Sequence, residues 1–134
     1  MSAVEITEYL LNNMEKYDFI VLNFANGDMV GHTGNLNAAI KAIETLDECI
    51  FKLYEKIQSL KGTLILTADH GNCEEMLDEN GNTLTSHTTN KVPFLINRNV
   101  KLKNGKLGDI APTILKYMNI EVPIEMTGNT LIED

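Results

Sequence analysis

Lys61-Gly62-Thr63-Leu64-Ile65-Leu66-Thr67-Ala68-Asp69-His70-Gly71-Asn72 is the stretch from which the rest of the chain can be read. Residues 63–67 form an apolar run too short for a helix, as in a strand buried on both faces, and the polar residues after it mark a loop at its carboxyl end. Immediately before it, Leu36, Ile40, Ile43, Leu46, Ile50, Leu53, Ile57 and Leu60 advance by three or four residues, which predicts one long helix with that stripe turned inward. Lys61-Gly62 closes the helix with a residue tolerant of positive φ. Upstream, Asp18-Phe19-Ile20-Val21-Leu22-Asn23-Phe24 is a second continuous apolar run, ended by Asn26-Gly27. Strand, helix and strand in succession predict a right-handed parallel crossover, so the fold class is α/β.

The flanks extend this pattern. Ser2-Ala3-Val4-Glu5 has the form of a capping box, and Ile6, Leu10 and Met14 follow at helical spacing, predicting a helix over residues 3–16. Residues 92–96 read as a third strand, with Pro93 near its start where a missing donor is tolerable. The acidic, turn-rich Asp78-Glu79-Asn80-Gly81-Asn82 reads as a solvated hairpin or loop. Gly108-Asp109 introduces a last helix, with Asp109 as cap, Pro112 in the first turn and Ile110, Ile114, Leu115 and Met118 inward; Asn119 ends it in the left-handed conformation. There is no repeat, no low-complexity tract and no domain boundary in this reading.

Composition narrows the function classes. The chain has 134 residues, 43% of them hydrophobic, enough to bury a core. No stretch approaches the roughly 20 apolar residues of a membrane span, and the N-terminus lacks the basic and apolar regions of a signal peptide, so no membrane partner and a cytoplasmic location are expected. Cys49 and Cys73 fit free thiols of a reducing compartment better than a disulfide framework. A net charge of −8 with no basic stripe argues against nucleic acid. A phosphate substrate would require that charge to be inverted locally, for which bound divalent cations are the usual means.

The chain's three histidines lie beside carboxylates or hydroxyls: Asp28-Met29-Val30-Gly31-His32, Thr67-Ala68-Asp69-His70-Gly71-Asn72 and Thr85-Ser86-His87-Thr88. Asp28, His32, Asp69, His70 and His87 make a mixed carboxylate and imidazole set suited to Mn²⁺ or Zn²⁺. On a helix, Asp28 and His32 lie about 6 Å apart along one face and can grip one ion, although the same spacing also makes a surface hydrogen bond. Asp69 and His70 converge only if the strand has already turned into a loop; a capping Asp beside a structural His is the competing reading. Asp28, His32, Asp69 and His70 all follow strand carboxyl ends, where open α/β sheets bind ligands. His87 depends on the other four, with Thr85, Ser86, Thr88 and Thr89 able to fix its tautomer. Gly31 and Gly34 allow close approach. Cys73 is a poor member of an oxygen-rich set, and the methionines read as core filling.

Residues 23–34, Asn23-Phe24-Ala25-Asn26-Gly27-Asp28-Met29-Val30-Gly31-His32-Thr33-Gly34, together with 67–72, Ser86-His87-Thr88-Thr89-Asn90 and Glu125-Met126-Thr127-Gly128, resemble the cofactor-independent phosphoglycerate mutases, in order and over nearly the whole chain. That family belongs to the alkaline phosphatase superfamily, and the resemblance implies a three-layer α/β/α sandwich with a mostly parallel sheet. It implies two divalent ions, Mn²⁺ first and Zn²⁺ or Co²⁺ as alternatives, with Asp28, His32 and His87 on one and Asp69 and His70 on the other. Gly27 departs from the family, which commonly has proline there, so a looser loop is expected.

The family's serine nucleophile, a further aspartate ligand and the inserted substrate domain have no counterpart in these residues. The resemblance therefore implies that residues 1–134 are a C-terminal segment of the metal-binding phosphatase domain, a fragment with no catalytic nucleophile of its own. The complete enzyme would interconvert 3-phosphoglycerate and 2-phosphoglycerate in glycolysis through a phosphoserine. Competing readings are another superfamily enzyme, such as a phosphopentomutase or phosphodiesterase, and a non-catalytic metal-binding module. A narrow sheet with uncovered faces also predicts that the fragment self-associates.

Overall fold

A computed structural model describes residues 2–133. The helices are α1 (Ala3–Asn13), continued by a 3₁₀ turn at Met14–Lys16, α2 (Asn26–Gly31), α3 (Leu36–Ser59) and α4 (Ile110–Tyr117), with short strands β1 (Ile65–Thr67) and β2 (Phe94–Ile96). No helix among the described residues is long and apolar enough to cross a membrane. The chain divides into two compact units, Met1–Leu95 and Ile96–Asp134.

In the first unit α1 and α2 pack on α3. The predicted helices form here, and Met14 and Leu53 are buried as their spacing predicts, but the rest of the buried faces is displaced from the sequence reading. On α1 the buried positions are Ala3, Thr7 and, just beyond it, Met14, while Ile6 stays 38% exposed. Thr7 satisfies its buried hydroxyl by donating to Ala3 O at 2.8 Å. On α3 the seam is Ala39, Ala42, Cys49 and Leu53. Leu36, Ile40 and Ile43, placed inward by periodicity, are 44–49% exposed. Small side chains on each seam let helix axes approach closely, and that packing chooses the alanines. Ser2 stands at the N-cap of α1, yet its side chain makes no capping bond, so the capping box is not formed. Asn35 does cap α3, accepting from Ala38 N at 3.0 Å.

The expected strand at residues 18–24 is not one. Among the described residues that run has no ladder partner, and Phe19 and Val21 are 54% and 82% exposed. A strand exists only by pairing, because each of its amides needs a neighbour. Without that pairing the predicted parallel crossover is not formed. The observed sheet has two strands, β1 beside β2. They run antiparallel, with the Thr67 hydroxyl donating to Pro93 O at 2.9 Å. A mostly parallel sheet is therefore not what these residues display. Residues 77–83 do form the expected hairpin, with an antiparallel bridge between Leu77 and Thr83 and Asp78 accepting from the amides of Asn80 and Asn82.

α3 ends in a Schellman motif: Gly62 N donates to Ile57 O at 2.8 Å and Lys61 N to Gln58 O at 2.9 Å. The positive φ of 57° falls on Lys61, not on the glycine. Gly62 serves close approach instead, since a Cβ there would lie 3.1 Å from Ile57 Cγ2. A side chain in the left-handed region costs about 1 kcal/mol. Lys61→Gly is thus expected to stabilise the chain by up to about that amount, visible as a higher midpoint in thermal melts; an unchanged or lower midpoint contradicts this account.

The second unit is organised around Asp109 and Thr113. The Asp109 carboxylate does not cap α4 but accepts from Lys106 N and Asn129 N, both at 2.9 Å. Thr113, buried, donates to Asp109 O and accepts from Leu131 N. Leu102 and Ile132 form an antiparallel bridge. Gly128 is required where the chain crosses Gly108, since a Cβ would fall 2.1 Å from its carbonyl oxygen. Asn119 closes α4 at φ 56°, as its position predicts.

Candidate metal centre

All five predicted ligands lie in the first unit. α2 carries Asp28, and its C-cap residue His32 keeps helical backbone, with its amide donating to Asp28 O. The i, i+4 spacing thus brings His32 Nε2 to 3.2 Å from Asp28 Oδ1. His87 arrives from the segment after the hairpin, its Nε2 2.9 Å from the same oxygen and 3.1 Å from His32 Nε2. These three atoms form a compact triangle with edges of 2.9, 3.1 and 3.2 Å. Ligand atoms about 2.1 Å from a tetrahedral ion are about 3.4 Å apart, so a small outward movement would admit one.

The donor chemistry agrees. His32 Nδ1 lies 2.6 Å from Thr85 O, and a carbonyl can only accept, so Nδ1 carries the proton and Nε2 of a neutral ring offers its lone pair to the triangle. The sequence reading has the hydroxyls of this segment fix the tautomer of His87; Thr85 instead fixes that of His32, through its carbonyl oxygen. His70 stacks on His87 with centroids 3.6 Å apart. Its Nε2 is 3.7 Å from both Asp28 Oδ1 and Asp69 Oδ1. Asp69 is the most exposed of the five, its side chain 80% accessible. Asp28, His32 and His87 thus converge tightly, and His70 with Asp69 borders them at longer distances.

Neighbouring residues complete the surroundings. Asn72, buried, points Nδ2 at Asp28 Oδ1 at 3.3 Å. Gly31 makes room for it, because a Cβ there would lie 2.0 Å from Asn72 Oδ1. Cys73 donates to Gly27 O and is not in the triangle; burial, followed by the charges of Glu74 and Asp28, raises its thiol. Gly27 lies inside α2, where a Cβ would make ordinary van der Waals contact with Ile43 Cδ1 at 3.4 Å and Cys73 Sγ at 3.9 Å.

Partial burial works to raise the Asp28 carboxyl, but the His87 hydrogen bond and the three neighbouring imidazoles outweigh it and hold it below its ordinary 3.8. Glu74 is held below its ordinary 4.5, chiefly by the Thr88 hydroxyl, and Asp78 below 3.8, chiefly by the Asn82 side chain. Each group, depressed in the folded state, contributes stability that is present above its unfolded value and lost as pH falls through the folded one. Thermal melts of the metal-free chain are expected to show a falling midpoint from about pH 5 downward; a midpoint flat to about pH 2 would contradict the assignments.

The sequence profile of the Metalloenzyme superfamily matches residues 1–122. The chain belongs to the metalloenzyme superfamily. Over 98% of its length this metalloenzyme chain is 56% identical to the 2,3-bisphosphoglycerate-independent phosphoglycerate mutase of Clostridium beijerinckii, of which the match covers 27%. Over 99% it is 53% identical to that of Malacoplasma penetrans, again covering 27%. Over 98% it is 56% identical to that of Clostridioides difficile, covering 28%. The metalloenzyme chain therefore spans little more than a quarter of the curated relatives it matches.

Proposed function

We propose that this chain is the C-terminal, metal-binding part of a phosphoglycerate mutase of the three-layer alkaline-phosphatase architecture, interconverting 3-phosphoglycerate and 2-phosphoglycerate in the cytoplasm. The observation that carries the reading is the convergence of Asp28, His32 and His87 on one point in a chain that matches phosphoglycerate mutases along almost its whole length. Asp28, His32 and His87 would hold one divalent ion, and Asp69 with His70 the other. Mn²⁺ suits the carboxylate share of the set, and Zn²⁺ or Co²⁺ the imidazole share. Bound ions would supply the positive charge that a phosphate substrate needs on a chain of net charge −8, and would favour ionisation of a nucleophilic hydroxyl.

The chain's own residues prepare that site. Thr85 O keeps the His32 lone pair directed at the triangle, and Asn72 steadies the oxygen of Asp28 around which the imidazoles gather. A phosphopentomutase or phosphodiesterase would use similar ligands, but the relatives compared above are named as phosphoglycerate mutases. The deciding experiment exchanges this chain for the matching quarter of the C. beijerinckii relative. Turnover of 3-phosphoglycerate by the chimera, lost with His87→Ala, is the expected result. A folded, metal-loaded chimera without turnover would refute the mutase reading.

Self-association of the isolated chain belongs to the same proposal. Residues 18–24 expose Phe19 and Val21 without strand pairing, and Leu36, Ile40 and Ile43 of α3 are also uncovered. A second copy covering these surfaces removes them from water. Light scattering is expected to show dimers or larger species with rising concentration, reduced by Val21→Lys; a strict monomer would count against it.

A further inference from the structure

Glu74 lies outside the converging set, yet it joins the segments that deliver it. Its Oε2 accepts from Asn72 N at 2.6 Å. Its Oε1 accepts from the Thr88 hydroxyl and from Asn90 Nδ2, the latter at 3.2 Å. Between these contacts Gly71 and Thr88 form an antiparallel bridge, with Thr88 N donating to Gly71 O at 3.0 Å. The junction is tight enough to exclude any side chain at 71: a Cβ would stand 2.2 Å from Thr88 Oγ1 and 2.3 Å from Glu74 Oε1.

One carboxylate therefore holds the backbone just after His70 and the hydroxyl just after His87. Through Asn72, whose side chain reaches Asp28, it also bears on the carboxylate corner of the triangle. Neither segment has a regular strand or long helix to fix it. A loop ligand left free must be ordered when an ion binds, and that ordering subtracts from affinity.

We propose that Glu74 is a positioning residue that sets the separation of the His70 and His87 segments before any ion arrives. Glu74 is not a ligand in this account, and the inference rests on the reading of Asp28, His32 and His87 as a metal site. Its neighbour Glu75 supplies the control, having the same charge but accepting from Asn90 Nδ2 alone among these donors, at 2.9 Å.

The test compares the whole chain with Glu74→Ala, Glu74→Gln and Glu75→Gln. In the metal-free proteins, proton NMR reads the ring-current shift that the stacked His70 and His87 impose on each other. That shift should vanish in Glu74→Ala and persist in Glu75→Gln. Calorimetric titration with Zn²⁺ should show affinity about 10- to 100-fold weaker for Glu74→Ala, a smaller loss for Glu74→Gln, and a change under about twofold for Glu75→Gln. Circular dichroism confirms that each variant is folded, and Thr88→Val, which removes one donor, replaces Glu74→Ala if that protein does not fold. Unchanged ring shifts and Zn²⁺ affinity in Glu74→Ala would overturn the proposal, as would an equal loss in Glu75→Gln. Failure of the unmutated chain to bind Zn²⁺ would refute the ligand reading, while the metal-free ring shift would still decide the role of Glu74.

Discussion

Asp28→Ala is expected to abolish the dominant Zn²⁺ or Mn²⁺ site of the isolated chain, weakening binding by more than about a hundredfold. Its carboxylate oxygen is the common neighbour of His32, His70 and His87, at 3.2, 3.7 and 2.9 Å. Removing it deletes a proposed ligand and also leaves three imidazoles crowded around the place of the lost carboxylate. His32→Ala should weaken the same site less, because the Asp28 and His87 pair remains. Binding should be stronger at one site than the other, since Asp28, His32 and His87 are mutually close whereas Asp69 touches His70 only at 3.7 Å. Calorimetry with each variant checks both points. Two equal, tight sites in the unmutated chain, or an Asp28→Ala protein that binds as before, would show that the triangle is not the principal metal centre.

The second large effect is an absence of turnover. Pure chain, given 3-phosphoglycerate and Mn²⁺, is expected to form no 2-phosphoglycerate above background, because loss of a covalent nucleophile lowers turnover by about a millionfold in enzymes where it has been removed. The hydroxyls near the centre do not replace it. Thr33 donates to Val30 O at 2.6 Å and accepts from Asn35 N at 3.2 Å, closing the turn after α2. Thr88 is engaged by Glu74. Ser86 precedes His87 on an exposed segment, open to water. Conversion by the pure chain, abolished by Asp69→Ala, would reverse this view and place a nucleophile within these residues.

Much of the local structure was legible. The stripe from Leu36 to Leu60 announced α3, and the four-residue step from Asp28 to His32 placed two candidate ligands on one face because helical geometry leaves no other outcome. Asn119 ended α4 in the left-handed region that asparagine tolerates. Periodicity could not say which flank of α3 would be covered. That depended on where α1 and α2 lay, and close helix packing selected the small side chains of Ala39 and Ala42 over Leu36, Ile40 and Ile43.

Strands were the least legible elements, for a related reason. The composition of residues 18–24 declares a capacity to pair, but pairing is a property of two segments, and among the described residues no partner stands beside this one. The sequence by itself determined which candidate ligands are on offer, the α2 pair and the long helix, all of which follow from intervals of a few residues. Only the tertiary structure decided that His87 meets Asp28 across 59 positions and that Glu74 fastens the segments around them. Such contacts depend on the summed path of every intervening turn and on which surfaces exclude water together, and neither quantity is written in any local spacing.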